Sequence, residues 1–323
     1  MSQQFKSSPV TSPTVAVIDV GSNTIKLLVA KGGAQTVAVH QKVLETRISR
    51  GIGRGRPKLS KEGIEAGLLG IESLLEEAAY FKPLKTSIAA TSAVRDAENR
   101  YEFADRVFSK TNIQLRILSG EDEARTAAIG IQQDPHIKNY KEFYFLDIGG
   151  GSAEIAHCHD GIIIQIASLP LGAVRLTERF VSDPAKPLPV REAQSIARFT
   201  EKEIKKSSLI FGESELPFIG IGGTFAYIRA LLSKGIKPQS TEFLPIIPVN
   251  LLRNLFTDLS RVSLEKRKEV PHLPKSRADI FPTALRVILS IAEYSRVTSF
   301  HQSYYNLQFG LAIELLSQVA DSN

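Results

Sequence analysis

A single cysteine, Cys158, in a chain of 323 residues excludes a disulfide framework and any zinc site built mainly from thiolates. It fits a reducing, cytoplasmic compartment. No stretch approaches the roughly 18 consecutive apolar residues of a membrane span. The opening MSQQFKSSPVTSPT has no apolar core of signal-peptide length; residues 1–14 read as a disordered tail, and no membrane partner is expected. Like charges never run to five, and there is no RNA-binding aromatic signature and no strong helix-turn-helix cue, so no nucleic-acid partner is expected. The excess of 40 Lys and Arg over 34 Asp and Glu, a net +6, favours an anionic partner without specifying an activity.

What is present is ordinary globular composition, 43% hydrophobic and 23% charged, with length for two domains that have separate cores. Internal similarity is the informative feature. VAVIDVGSNTIKLLVAKGG from Val15 and FYFLDIGGGSAEIAHCHDG from Phe143 share one grammar of strand, aspartate, glycine turn with a hydroxyl, and second strand. Asp19 matches Asp147 and Gly21 matches Gly149. The chain reads as an α/β protein of two related halves, residues 15–132 and 133–323, divided within QQDPHIKN, with a terminal helix over 310–320 joining the first.

Helical spacing of Ile64, Leu68, Ile71, Leu75 and Ala79 behind a Ser60 cap predicts a long helix in the first half. TSAVRDAENR reads as a loop, with Asn99 and Glu102 as a capping box for the next helix. Ser119 with Asp122 opens another helix. The second half adds a helix over VREAQSIARFTEKEIKK, a polar, proline-punctuated stretch from Lys234 to Pro274, a helix with Pro282 in its first turn, and the terminal helix.

Three glycine turns follow apolar strands: DVGSNT at 19–24, DIGGGS at 147–152 and GIGGT at 220–224. Successive backbone amides in such turns form anion-binding concavities, and a helix start behind one adds favourable dipole. A tight hairpin without a ligand has the same local grammar, but three such turns, two led by aspartate, point to phosphate. Asp19 and Asp147 at strand ends suit a Mg2+ ion held by one or two carboxylates plus substrate phosphates. Glu121, Asp122 and Glu123 crowd a helix start, where dipole complementation is worth about 0.3–1 kcal/mol; a positioned base contributes on the order of 10^2–10^4 in rate. HCH at 157–159 offers two histidines on one side of a strand, too few for zinc; a partly exposed strand is expected. Lys202, Lys205, Lys206, Arg261, Lys266, Arg267, Lys268, Lys275 and Arg277 read either as solvated faces or as a salt-sensitive path for a long polyanion.

DVGSN, ATSAVRDAENR, LSGEDEAR, DIGGGSAE, SLPLGAVRLTERF and IGGT, in this order and at these separations, resemble the exopolyphosphatase and guanosine pentaphosphate phosphohydrolase family, within the actin and sugar kinase superfamily. The similarity runs from about Val15 to Leu315 and matches the short two-domain members. It implies two ribonuclease H-like (actin-like ATPase) domains around a cleft, and release of terminal orthophosphate from inorganic polyphosphate by metal-assisted hydrolysis. Guanosine pentaphosphate, with a link to the stringent response, is the alternative substrate. An ATP-dependent kinase or ATPase of the same superfamily and a non-catalytic polyphosphate or alarmone sensor are the competing readings. By position, the resemblance makes Glu123 the base that deprotonates water and Glu154 its acidic partner, both catalytic. Asp147 and Asp19 become ligands of Mg2+, with a monovalent cation as a further requirement. Ser22, Asn23, Arg95, Gly149, Gly150, Gly151, Ser152, Gly222, Gly223 and Thr224 become the phosphate-binding residues, and a homodimer is in keeping with the family. Gln308 and Phe309 stand where the family usually shows an Arg-Glu pair before a glycine, which bears on substrate choice and domain contacts and motivates the sensor reading.

Overall fold

A computed structural model describes residues 12–33, 35–49, 57–137, 140–212, 216–234 and 245–321. Most of the amino-terminal tail, Lys138 in the expected boundary, and residues 235–244 of the polar stretch lie outside the described residues. The first part of the chain runs β1 (Thr14–Val20), β2 (Thr24–Lys31), β3 (Val37–Glu45), α1 (Lys61–Ala79), β4 (Lys85–Ala90), α2 (Ser92–Arg95), α3 (Arg100–Thr111), β5 (Leu115–Ile117) and α4 (Gly120–Ile131). It continues with β6 (Glu142–Ile148), β7 (Ala153–His159), β8 (Ile162–Leu169), α5 (Ala173–Phe180), α6 (Val190–Lys206), β9 (Phe218–Ile221) and α7 (Gly222–Leu232). The last elements are β10 (Ile246–Pro248), α8 (Val249–Ser260), α9 (Leu264–Lys268), a 3-10 turn at Lys275–Arg277, α10 (Phe281–Ser295), β11 (Ser299–Gln302) and α11 (Leu307–Ala320).

Two mixed sheets result, in the orders β3-β2-β1-β4-β5 and β10-β11-β9-β6-β7-β8. Each starts as an antiparallel meander, β1 to β3 or β6 to β8, and then adds a parallel strand beside its first, β4 beside β1 and β9 beside β6. The registers correspond: Asp19 pairs with Lys26 and Asp147 with Glu154.

The first strand of each sheet is buried on both faces, which is why its sequence is a continuous apolar run and not an alternation. Ala16, Ile18 and Val20 of β1 face α1 and α3, whereas Val15 and Val17 face a layer formed by α4 and α11. Phe143 and Phe145 of β6 meet that same layer from the other side, and Tyr144, Leu146 and Ile148 face the core under α6 and α10. Thus α4 and α11 are held between the two sheets, and α11 also packs on β1, β2 and β4. Burying each such Ile, Leu or Phe is worth about 1.5–3 kcal/mol, so this layer fixes the separation of the two sheets' loops.

Several local expectations change. TSAVRDAENR is not wholly loop: Ser92–Arg95 form one helical turn, α2. Asn99 does not cap α3; its amide group clasps the backbone of Leu59, accepting from N at 2.9 Å and donating to O at 3.1 Å. The stretch before Pro274 carries α8 and α9, because Leu252 and Leu259 bury at helical spacing among polar neighbours. Ser60 and Ser119 do cap α1 and α4, accepting from Gly63 N and Asp122 N. His157 is buried rather than partly exposed: it hydrogen-bonds Glu142 at 2.8 Å and stacks on Tyr144. Among the described residues no group of three His, Cys, Asp or Glu is arranged to hold a metal ion, and no helix is long and apolar enough to cross a membrane.

Candidate active site

The two aspartate turns face each other. One cleft is lined by Asp19, Ser22, Asn23, Glu123, Asp147, Gly149, Gly150, Gly151, Ser152, Glu154, Gly222 and Gly223. These residues come from the β1–β2 turn, the start of α4, the β6–β7 turn with β7, and the start of α7. Two residues expected at the phosphate site stand outside that lining. The Thr224 hydroxyl donates to Ile148 O at 2.7 Å and ties α7 to the end of β6. Arg95 sits behind Glu123, its Nη1 donating to Glu123 Oε2 at 2.7 Å and to Leu118 O at 3.1 Å.

The glycines divide by cause. A Cβ on Gly150 would come within 2.7 Å of the Ser22 Cβ, and one on Gly151 would collide with the Ser92 hydroxyl, so both are bare partly because the opposing turn and the start of α2 lie against them. A Cβ on Gly149 meets only ordinary van der Waals contact. Gly222 is doubly constrained: its φ is +74°, and a side chain there would overlap the Asp147 carboxylate. That approach packs the start of α7 against Asp147, which stays half-buried at the cleft wall.

Glu121, Asp122 and Glu123 separate by helical geometry. Glu121 points outward to an exposed ion pair with Arg125 at 2.6 Å. Asp122 completes the cap, accepting from the Ser119 hydroxyl at 2.7 Å. Glu123 turns inward, its side chain 13% exposed. Burial and the nearby Glu154 charge push its carboxyl well above the usual carboxylate range, against the pull of Arg95. Glu154 accepts from the Ser168 hydroxyl at 2.8 Å; burial first, and then the charge of Asp147, push it up to about 7. Burial raises Asp147 to about 6, with Lys26 opposing. Three acids thus share one poorly solvated space.

Cations that the sequence reading left out of the site line it as well. Lys26 lies 3.4 Å from Asp19 Oδ2. Arg277, read among cations forming either a solvated face or a path for a polyanion, is 8% exposed and rests over the Tyr227 ring. Its Nε has no hydrogen-bond partner, and its nearest carboxylate, Glu45, is 3.9 Å away. Alternation on β2 places Lys26 on the face of Asp19's cross-strand partner, a signal available once the hairpin is drawn. Nothing local in HLPKSRADI marks Arg277 as inward. Arg267 is likewise buried, donating to the carbonyls of Val262 and Ala278 at 3.1 Å each and thereby holding the turn that carries Arg277. Lys205 and Lys206 keep exposed pairs with Glu201 and Glu203 and remain a solvated face.

Asp19 Oδ1 and Asn23 Oδ1 are buried oxygens without a hydrogen-bond partner. With Asp147 they form a hard-oxygen set that fits a divalent cation whose remaining ligands come from substrate and water. Gln308 is buried and the Phe309 ring lies tilted against Tyr305 with ring centres 4.3 Å apart, so both belong to the packing at the start of α11.

Two sheets with a shared helical layer and facing aspartate turns define an actin-like, two-domain phosphate-handling protein. The profile of the Ppx/GppA phosphatase family matches residues 28–319, and the chain belongs to that family of phosphoanhydride hydrolases. It is 28% identical over 316 residues to exopolyphosphatase 1 of Mycobacterium tuberculosis, covering 95% of this chain and 89% of that one. It is 25% identical to a guanosine-5'-triphosphate,3'-diphosphate pyrophosphatase of Pseudoalteromonas atlantica, covering 95% of this chain and 59% of that longer protein. Among solved structures, the Ppx-GppA enzyme of Aquifex aeolicus superposes with a TM-score of 0.75 at 24% identity, covering 94% of this chain and 99% of that one. An exopolyphosphatase of Cytophaga hutchinsonii superposes with a TM-score of 0.84 at 20% identity, covering 94% and 98%. These structures share the fold.

Proposed function

We propose that the protein is an exopolyphosphatase that hydrolyses the terminal phosphoanhydride bond of inorganic polyphosphate and releases orthophosphate. The observation that carries this reading is the inward Glu123, braced by Arg95, in a cleft whose other walls are glycine turns and the cations Lys26 and Arg277. Glu123 Oε2 is taken by Arg95, so Oε1 receives the proton of the attacking water. As the water oxygen bonds to the terminal phosphorus, the bridging P–O bond breaks and the shortened chain departs as an oxyanion. The amides of Gly150, Gly151 and Ser152, with the Ser22 and Ser152 hydroxyls, stabilise the equatorial oxygens, while Lys26 and Arg277 offset the charge of the following phosphates. Glu154 keeps the water oriented beside Glu123. Asp19, Asp147 and Asn23 would hold Mg2+, which when bound neutralises phosphate charge.

The lining is glycine, hydroxyl, carboxylate and cation, with Ile148 and Leu307 its main apolar members, which suits a chain of phosphates. Guanosine pentaphosphate is the second reading, favoured by the relative that acts on such a nucleotide. A cytoplasmic setting accords with the one, buried cysteine. The test is phosphate release from long polyphosphate and from guanosine pentaphosphate in competition, by wild type and Glu123→Gln. Polyphosphate should be preferred, and the variant should lose about 10^2–10^4 in kcat with KM little changed. Equal turnover of both substrates defeats the preference, and undiminished release by Glu123→Gln defeats the mechanism.

A further inference from the structure

We infer that Arg175 and Asp96 form a positioning pair: the Arg175 side chain fixes which way the Gly151–Ser152 peptide group of the Gly149–Gly151 turn points, and Asp96 ties that turn to the arm holding Glu123. The inference deepens the reading of the cleft as a phosphate site and rests on it. All three glycine carbonyls are bound from behind by α5. Ala173 N donates to Gly149 O at 3.0 Å, and Val174 N and Arg175 N donate to Gly150 O at 2.9 and 3.1 Å. The Arg175 Nε donates to Gly151 O at 2.6 Å. In a planar trans peptide the carbonyl and the next N–H point in opposite directions. Drawing the carbonyls of Gly149, Gly150 and Gly151 toward α5 therefore turns the amides of Gly150, Gly151 and Ser152 away from it, toward the cleft. None of these three amides has a backbone acceptor among the described residues. The helix start abuts the turn so closely that a side chain at Gly172 would overlap the backbone of Gly150 and Gly151.

The far end of the same guanidinium reaches the other half of the molecule. Arg175 Nη2 pairs with Asp96 Oδ2. Asp96 Oδ1 lies 3.6 Å from Arg95 Nε, and Arg95 Nη1 holds Glu123. One alternating line of charge, Glu123, Arg95, Asp96, Arg175, thus ends on the turn that receives the phosphate, and it spans the cleft. A planar guanidinium can serve the carbonyl and the carboxylate together, and an ammonium serves one at a time.

The two ends of the pair predict different kinetic losses. Steady-state phosphate release from polyphosphate, with melting temperatures recorded alongside, is measured for wild type, Arg175→Met, Arg175→Lys and Asp96→Asn. Arg175→Met frees the Gly151 carbonyl, and with it the orientation of the Ser152 amide, and should raise KM about tenfold, with Arg175→Lys intermediate. Asp96→Asn leaves the bond to Gly151 in place, so KM should stay within about twofold while kcat falls about tenfold. Should Arg175→Met fail to fold, Arg175→Lys decides: a KM at least about threefold above wild type supports the inference, and a smaller change overturns it. Equal effects of the Arg175 and Asp96 variants on KM, or no effect of either beyond about twofold on any parameter, also overturn it. Calorimetry with tripolyphosphate needs no turnover. If the wild type binds tripolyphosphate but releases no phosphate, the proposed activity falls while the pair still stands on tenfold weaker binding by Arg175→Met with Asp96→Asn unchanged. Equal affinities, or no binding by the wild type, overturn the pair.

Discussion

The two aspartate hairpins are built on one register and end in opposite electrostatic states. In the first, Asp19 faces Lys26 across the β1–β2 pair, and the two charges lie 3.4 Å apart. In the second, the matching positions are Asp147 and Glu154, and both are pushed toward neutral pH by burial and by each other or their neighbours. The backbone turns are tied back by different devices. The first hairpin's carbonyls at Ser22 and Asn23 accept from Ser49, Thr46 and Arg47, whereas the second's accept from α5. Duplication thus supplies two similar cradles, and a single change of cross-strand partner makes one an ion pair and the other a strained pair of acids. The strained side adjoins the inward Glu123, where proton transfer is needed.

Relieving the strained side should have the largest effect. Glu154→Gln removes the charge that raises Glu123, so the acidic limb of kcat/KM should move to lower pH while kcat falls about 10^2-fold through the lost water contact. In chelator, folding stability should change as well. The folded Glu154 titrates near 7, above its unfolded range. The wild type therefore matches the variant below the unfolded pKa and loses stability relative to it as pH rises toward the folded value. At pH 8 the deficit should be on the order of 3 kcal/mol. Denaturant melts of both proteins at pH 5 and pH 8 check this; a gap that does not widen with pH removes the acid pair from the account.

Arg95→Met cuts the opposing influence. Arg95 stabilises the ionised form of Glu123, so its loss should move the acidic limb to higher pH and lower the plateau about tenfold. The two variants should displace the pH–rate profile in opposite directions. A shift in the same direction for both would mean that a different group titrates.

Much of this was legible in the chain because the hairpin grammar is local. The aspartate turns, the strand that follows each, and the capped start of α4 all depend on neighbours within a few residues, and the duplicated pattern gave their equivalence. Arg277 and Arg175 were opaque for the opposite reason: the turn carrying Arg277 is held by Arg267 from outside that turn, and Arg175 is held behind the glycine turn by Asp96 from the first half of the chain. Burial of an arginine shows no periodicity in a short turn. The same limit explains Thr224, since glycine spacing alone does not tell whether the hydroxyl beyond it faces a ligand or a carbonyl.

On the paired side, Lys26→Met should have a smaller effect. Asp19 would keep its buried Oδ1 unpaired and lose the cation beside Oδ2. The lysine is 24% exposed, so solvent moderates the loss to about 1 kcal/mol of stability. KM for polyphosphate should rise about threefold, as expected for one lost phosphate-facing charge among several. A kcat loss as large as that of Glu154→Gln would show that the two hairpins share the chemistry equally.

The smallest effect on turnover belongs to Thr224→Val, which tests whether the third glycine turn is a cradle at all. The threonine hydroxyl is buried and already committed to Ile148 O at 2.7 Å. Valine removes that donor at nearly constant volume, which should cost about 1–2 kcal/mol of stability by leaving the carbonyl short of a partner. Since Ile148 leads directly into the Gly149–Gly151 turn, some loosening of the turn is possible only through this backbone link, and KM should stay within about twofold of wild type. A KM rise comparable to that of Lys26→Met, without loss of melting temperature, would instead make the hydroxyl a phosphate ligand and give the second sheet two cradles against the first sheet's one.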